Sequence, residues 1–202
     1  MIIAISGKLS SGKTLSASLL YKMFMDDSSL KPKLKSIAKP VYEIASILTS
    51  QNLSFIQDNK SERSDYGMTY REILQLIGQQ YREDISDEIW LDILFSDSYN
   101  PTNDIVIIDD LRYQNEVDYI KRKGNSFFIR LERDSTPINT NIVDHMVKEY
   151  EKKKNILQHP SETQLDKFVG WNTTISNKDD IPSLIGKLKK NVFDPVVANM
   201  QQ

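Results

Sequence analysis

Cysteine is absent from all 202 residues. That absence removes disulfides, thiolate metal sites and a cysteine nucleophile together, and it suits a reducing cytoplasm. Histidine is scarce, and His145 and His159 lack the spacing of metal ligands, so neither is assigned a metal. Neither sign of charge dominates. With 26 Lys and Arg against 28 Asp and Glu, the formal net charge is -2, and no general attraction to nucleic acid or to an anionic membrane is implied. Any basic site must therefore be local, and the expected partner is a small molecule. No long apolar run occurs, and the short one near the N-terminus has no basic region ahead of it. Neither a signal peptide nor a membrane span is expected, and the protein reads as soluble and cytoplasmic. Repeats and low-complexity tracts are missing too. The length favours one domain with excursions, as a monomer or a homodimer.

What is present is a phosphate-binding signature. Gly7-Lys8-Leu9-Ser10-Ser11-Gly12-Lys13-Thr14 satisfies G-x-x-x-x-G-K-[ST] at every required position. Ahead of it, Ile2-Ile3-Ala4-Ile5 reads as a strand buried on both faces. Behind it, Leu15, Leu19 and Met23 recur every four residues, widened by Ala17, Leu20 and Phe24, which predicts a helix from 13 to about 25. Gly7 and Gly12 can take backbone angles closed to other residues, so successive N–H groups can point at phosphate oxygens. The helix start adds positive potential there. Lys13 is then a point charge on the outer phosphates, and the Thr14 hydroxyl is placed to hold magnesium. A glycine-containing turn that binds nothing is the bland alternative.

Along the chain, Asp26-Asp27-Ser28-Ser29 and Pro32 mark a turn, and Lys33 to Ala38 reads as a second strand. Val41 to Leu48 reads as a helix opened by Lys39-Pro40, and residues 50 to 68, polar and aperiodic, as a mobile loop. Thr69-Tyr70-Arg71-Glu72 predicts a capping box. The helix it starts has Tyr70, Ile73, Leu74 and Ile77 on its apolar face. Arg71, Gln75, Gly78 and Arg82 fall on the other, which either lines a cleft or is plain solvated surface. A helix at about 87 to 96 is expected to bury Ile89, Trp90, Ile93 and Leu94.

Asn100-Pro101-Thr102-Asn103 reads as a loop. Ile105 to Ile108, the most hydrophobic strand candidate, ends in Asp109-Asp110. Open α/β sheets bind ligands at this end of a strand, and a phosphate-loop protein needs a carboxylate there for magnesium. Adjacent residues point to opposite faces, so one aspartate only should face the nucleotide. After Leu111-Arg112, a helix from about Gln114 to Lys123 closes with Lys121-Arg122-Lys123 and Gly124. Ser126 to Leu131 is a strand followed by Arg133. The charged stretch from Asp134 to about Asp166 has the length of a lid, and its Glu151-Lys152-Lys153-Lys154 run reads as a solvated helix face. Val169 to Ile175 is a final strand ending at Asn177. Asp180 and Pro182 start a helix to about Lys190, before a tail expected to be loose. Five strands alternating with helices predict an α/β P-loop NTPase fold, a five-stranded parallel sheet with helices on both faces. Its core would span 1–38, 102–133 and 167–190, with an acceptor-binding region at about 39–100 and a lid at about 134–166.

Arg71, Arg112, Arg130 and Arg133, with Lys8, Lys13 and Lys39, come from elements expected to open on one edge of the sheet. No Ser/His/Asp set and no general base stands out. Phosphoryl transfer to a phosphate monoester needs none, because the second pKa of about 6 leaves such an acceptor anionic near neutrality. Positioning and charge neutralisation suffice. An alcohol acceptor would want a carboxylate base, a part that one of Asp109 and Asp110 could play.

Three stretches resemble the bacteriophage deoxynucleoside monophosphate kinase family. They are the phosphate loop, Thr69-Tyr70-Arg71-Glu72-Ile73-Leu74-Gln75-Leu76-Ile77-Gly78, and Asp110-Leu111-Arg112-Tyr113-Gln114-Asn115-Glu116. His159-Pro160-Ser161-Glu162 and Ser36-Ile37-Ala38-Lys39-Pro40 are similar to further family elements. The resemblance implies an ATP- and Mg2+-dependent phosphotransferase that acts on a deoxynucleoside monophosphate, in a host cytoplasm if phage-encoded. It implies that Gly7, Lys8, Ser10, Ser11, Gly12, Lys13, Thr14 and Leu15 hold ATP, with Asn177 near its base. Thr14 and Asp110, rather than Asp109, would serve the metal. Arg71 would grip the monophosphate, and Arg112 and Arg133 would neutralise the transferring group beside Lys13. Ala38, Lys39, Gln75, Trp90, Arg130, Ser161 and Glu162 are the remaining candidates for the acceptor site. Two departures stand out: Thr14-Leu15 where phage members often carry Asp-Thr after the lysine, and Val41-Tyr42 where a Leu-Lys pair is common.

Other readings remain at this point. Asn177-Lys178-Asp179-Asp180 fits the guanine-reading N-K-x-D of GTPase switches, although Arg112 and Tyr113 stand where the Gly of Asp-x-x-Gly belongs. A kinase of another small phosphorylated metabolite, such as phosphomevalonate, and a non-catalytic ATP-binding module are the other two.

Overall fold

The computed structural model describes residues 1–27, 29–96, 104–133 and 159–200. In chain order its elements are β1 (Ile2–Gly7), α1 (Lys13–Met25), β2 (Lys31–Lys35), α2 (Lys39–Thr49), α3 (Leu53–Asp58), α4 (Tyr70–Asp84) and α5 (Ile89–Leu94). Then follow β3 (Asp104–Ile108), α6 (Gln114–Lys123), β4 (Ser126–Glu132), α7 (Pro160–Thr163), β5 (Thr173–Ser176), α8 (Ile181–Leu188), a π-helical turn (Lys189–Phe193) and α9 (Asp194–Met200). Contacts divide the chain into two compact units, one of Met1–Leu34 with Asn100–Gln202, the other of Lys35–Tyr99.

The first unit is built on a five-stranded sheet of order β2-β3-β1-β4-β5. β1 runs parallel to β3 and β4, and β4 to β5. The central strands are buried on both faces, so they read as unbroken apolar runs. One face carries Ile3, Ile5, Ile105, Ile107, Ile129 and Leu131 against α1, α8 and the C-terminal segment. The other carries Phe128, whose ring lies 5.8 Å from the Lys121 ammonium of α6. Together with the loop between β1 and α1, this is a P-loop NTPase fold.

Several boundaries differ from the sequence reading. β2 begins before Pro32, not after it, because an edge strand tolerates a residue with no N–H to give. β5 starts at Thr173 rather than near Val169, which is 95% exposed. Asn172 makes the entry: its N–H donates to the Phe128 carbonyl and its Oδ1 accepts from the Phe128 N–H. On α1, Ser16, Ala17, Leu20 and Phe24 are the buried set, whereas Leu15 is exposed. Through Met200 the tail is not loose. Val192 and Val196 continue the four-residue spacing of Leu184 and Leu188 into the core, and Phe193 packs on Phe24 at 4.9 Å between ring centroids. Asp180 caps α8 by accepting from the Ser183 N–H. The expected lid lies outside the described residues through 158, as does the loop at 100–103.

The second unit is helical. Its capping box forms as the residue types require: Thr69 Oγ1 accepts from the Glu72 N–H at 3.2 Å, and Glu72 Oε2 accepts from the Thr69 N–H at 2.7 Å. Residues 50–68 are not all loop. Asn52 caps α3 by accepting from the Phe55 N–H, Ile56 is fully buried, and Phe55 meets Tyr70 edge-on at 5.7 Å. One apolar residue and one ring anchor this short helix, too few to give a periodic signal. On α5, Trp90, Leu91 and Leu94 are buried, whereas Ile93 falls on the outer side and is exposed.

Candidate active site

The parallel strands bring their C-terminal ends to one edge of the sheet, where four segments of the first unit meet. Gly7, the end of β1, stands in register with Leu131 of β4, and Leu131 with Ile175 of β5. The loop after Gly7 turns through Ser10 at φ 62° and Gly12 at φ 95°, both left-handed. Gly12 is required twice over. A Cβ there would sit 2.3 Å from Asn177 Nδ2, and that amide donates to the Ser11 carbonyl at 2.8 Å. Asn177 thus braces the loop from the end of β5, while the Asn177 N–H is held by the Glu132 carbonyl. At Gly7 a Cβ would meet Ser11 Oγ and the Leu131 carbonyl within 2.6 Å.

Lys13 Nζ folds over the loop and donates to the carbonyls of Gly7 (2.7 Å) and Lys8 (2.9 Å). Its pKa lies below the ordinary lysine value. Burial is the larger cause and the Arg112 guanidinium adds to it, with Glu162 and Asp109 pulling the other way. Thr14 Oγ1 donates to Asp109 Oδ2 at 2.8 Å. The carboxylate that meets the Thr14 hydroxyl is thus Asp109, whereas the resemblance implied Asp110 for the metal. The cause is strand alternation: Ile105 and Ile107 face the α1 side, and Asp109 continues that phase onto the first turn of α1. Burial and the neighbouring Asp110 push the Asp109 carboxyl above its usual range, against the Thr14 hydrogen bond and the Lys13 charge. A hydroxyl and a carboxylate are hard oxygen donors of the type magnesium takes. No group of three or more His, Cys, Asp or Glu able to hold a metal occurs among the described residues, so phosphate and water oxygens would complete such a shell.

Arg112 follows β3 and is fixed at both ends. Its N–H donates to Glu116 Oε2 at 2.8 Å, and its guanidinium to Glu162 Oε1 at 2.7 Å and Ser161 Oγ at 3.4 Å. Glu162 Oε2 also accepts from the Leu9 N–H of the loop at 2.9 Å. Lys8 Nζ donates to the Glu162 carbonyl and to Asp166 Oδ2, both at 2.5 Å. Asp166 in turn accepts from Arg130, whose guanidinium lies 5.6 Å from the Trp171 ring. Burial opposes ionisation of Asp166, but Lys8 and Arg130 outweigh it and hold its carboxyl below the usual range. His159 caps α7, accepting from the Ser161 N–H at 3.2 Å. Burial, then the Arg112 charge, lowers its pKa against the pull of Glu162.

The first unit thus brings together Gly7, Lys8, Ser10, Ser11, Gly12, Lys13, Thr14, Asn177, Arg112, Arg130, Ser161 and Glu162 from the sequence reading. Leu15 and Arg133 are exposed, Arg133 just beyond β4. Ser161 and Glu162, expected near the acceptor, stand against Arg112 and the loop. The residue missed was Asp166, and its signal was available: it stands four residues after Glu162. In the stretch behind the guanine-reading alternative, Asp180 caps α8, Asp179 pairs with Lys187 and Asn177 braces the phosphate loop.

The second unit holds Ala38, Lys39, Arg71, Gln75 and Trp90. Ala38 precedes the first turn of α2, and Lys39 pairs with Glu43 at 3.7 Å on the surface of that helix. Trp90 is a core residue, its indole N–H donating to the Gly78 carbonyl at 3.0 Å and its ring tilted on Tyr81. Arg71 and Gln75 lie one turn apart on α4, and Arg71 Nε is buried with no hydrogen-bond partner. An unsatisfied cationic donor of this kind is costly unless an anion meets it.

No family model matches this chain. A protein of Acanthamoeba polyphaga mimivirus that carries the provisional name deoxynucleotide monophosphate kinase is 24% identical over 204 residues, spanning 93% of this chain and 94% of its own length. Among solved structures, a shikimate kinase from Aquifex aeolicus is 12% identical and covers 98% of this chain and 99% of its own, with a TM-score of 0.41. A thymidylate kinase from Candida albicans is 14% identical and covers 98% and 91%, with a TM-score of 0.40. Superpositions this loose leave the fold resting on this chain's own strand order and loop.

Proposed function

We propose that this chain is a phosphotransferase that passes the γ-phosphoryl group of ATP to a deoxynucleoside monophosphate, giving ADP and the diphosphate. The observation that carries the reading is the loop at the carboxyl edge of the sheet, where Lys13, Arg112 and the Thr14–Asp109 pair converge. Four cations, Lys8, Lys13, Arg112 and Arg130, surround a loop whose fold suits triphosphate. That is the apparatus of charge neutralisation. Thr14 and Asp109 would hold Mg2+, which supplies further neutralisation of the phosphate oxygens. Arg71, with its unpartnered buried Nε, is assigned to the monophosphate of the acceptor. The deoxynucleotide class of that acceptor is supported by the motif resemblance and by the name of the mimivirus relative.

Replacement of Lys13 tests the assignment. Lys13→Ala should abolish phosphoryl transfer while the circular dichroism spectrum and melting temperature stay near those of the parent, since its ammonium bonds only to loop carbonyls. Near-normal turnover in the folded variant would remove Lys13 from the site.

A further inference from the structure

Glu162 is one of the few buried acidic residues among the described residues, at 9% exposure, and its carboxylate joins two parts of the site. Oε1 accepts from the Arg112 guanidinium and Oε2 from the Leu9 N–H. The main chain of Arg112 is separately held by Glu116. One carboxylate therefore fixes the origin of the arginine and another its head group. Both Glu162 oxygens are engaged within the first unit, and a carboxylate is ill suited to touch an anionic acceptor directly.

We infer that Glu162 is a positioning residue, which sets the Arg112 guanidinium at a fixed place over the phosphate loop so that it meets the transferring phosphoryl group without a search among rotamers. An arginine side chain has many rotamers, and a buried bonded carboxylate selects one. Without Glu162, Arg112 would also face Lys8, Lys13 and Arg130 with less compensation, and mutual repulsion would drive it outward. The inference rests on the phosphotransferase reading for its kinetic consequence, but not for its effect on nucleotide binding.

The test is a double-mutant cycle of Glu162→Gln and Arg112→Gln, read in two ways. Gln keeps the size and an oxygen for the Leu9 N–H while removing the charge that holds Arg112. With MgATP and the most active monophosphate, Glu162→Gln should lower kcat about 10- to 100-fold, with the acceptor KM within about twofold of the parent. In the Arg112→Gln background the same change should cost less than about twofold more, because the residue acts through Arg112. Glu162→Asp, which keeps the charge, should recover part of the lost kcat. A raised acceptor KM at unchanged kcat, or effects that multiply, would overturn the inference. If the parent turns over no monophosphate, the functional proposal fails alone, and calorimetric titration with the magnesium complex of the ATP analogue AMP-PNP decides for Glu162. Weaker binding by about three- to tenfold in Glu162→Gln, with no further loss in the double variant, supports it. Unchanged binding in Glu162→Gln overturns it.

Discussion

Asp109 and Asp110 are chemically identical neighbours, and the Thr14 hydroxyl bonds to the first of them. Asp109 lies on the side of the sheet where α1 begins and takes the Thr14 hydroxyl. On the proposed reading, Asp109→Asn should raise the Mg2+ concentration for half-maximal turnover at least about tenfold, and Asp110→Asn by less than about twofold, in magnesium titrations at saturating ATP. The reverse order would return the metal to Asp110. The sequence makes the pair visible but cannot tell the two apart, since which phase faces α1 depends on how the sheet is covered. The loop itself was legible because every requirement is local: two glycines, a lysine and a threonine in one octapeptide between a strand and a helix. Asp166 was harder to place: its spacing from Glu162 is local, but its partners Lys8 and Arg130 lie 158 and 36 residues away.

Elements were legible where neighbouring residues decide them. Thr69 and Glu72 satisfy each other within one turn, so the start of α4 could be read to the residue. The C-terminal segment reads as a polar tail because Asn191, Asp194, Asn199, Gln201 and Gln202 interrupt its apolar residues, whereas Val192 and Val196, four apart, decide its fate. Both are fully buried. Val196→Ala removes two methyl groups from a packed site and should lower unfolding free energy by about 2 kcal/mol in denaturant titration. A change below about 0.5 kcal/mol would mean that α9 adds little to the core. β2 shows the opposite case. Pro32 signals a turn in isolation, and its edge position makes it compatible with a strand.

At the scale of the whole molecule, an almost neutral chain gathers four cations at its phosphate loop, and each compact unit holds part of the proposed chemistry. The first unit has the loop and its four cations. The helical unit has Arg71, whose segment was picked out by its Arg-x-x-Leu-Gln pattern and not by charge. Arg71→Ala should raise the acceptor KM about 10- to 100-fold while the KM for ATP changes little, for a loss of about 1.4 to 2.8 kcal/mol of charge-assisted binding. A change in ATP saturation alone would move Arg71 to the donor site.

The most direct measurement is ADP release from MgATP across the full set of ribo- and deoxynucleoside monophosphates, run in parallel on the parent protein and on Lys13→Ala. The account predicts release that depends on at least one deoxynucleoside monophosphate, forms the matching diphosphate in equal amount, and disappears with Lys13. Purified, folded protein that releases no ADP in response to any monophosphate would contradict it.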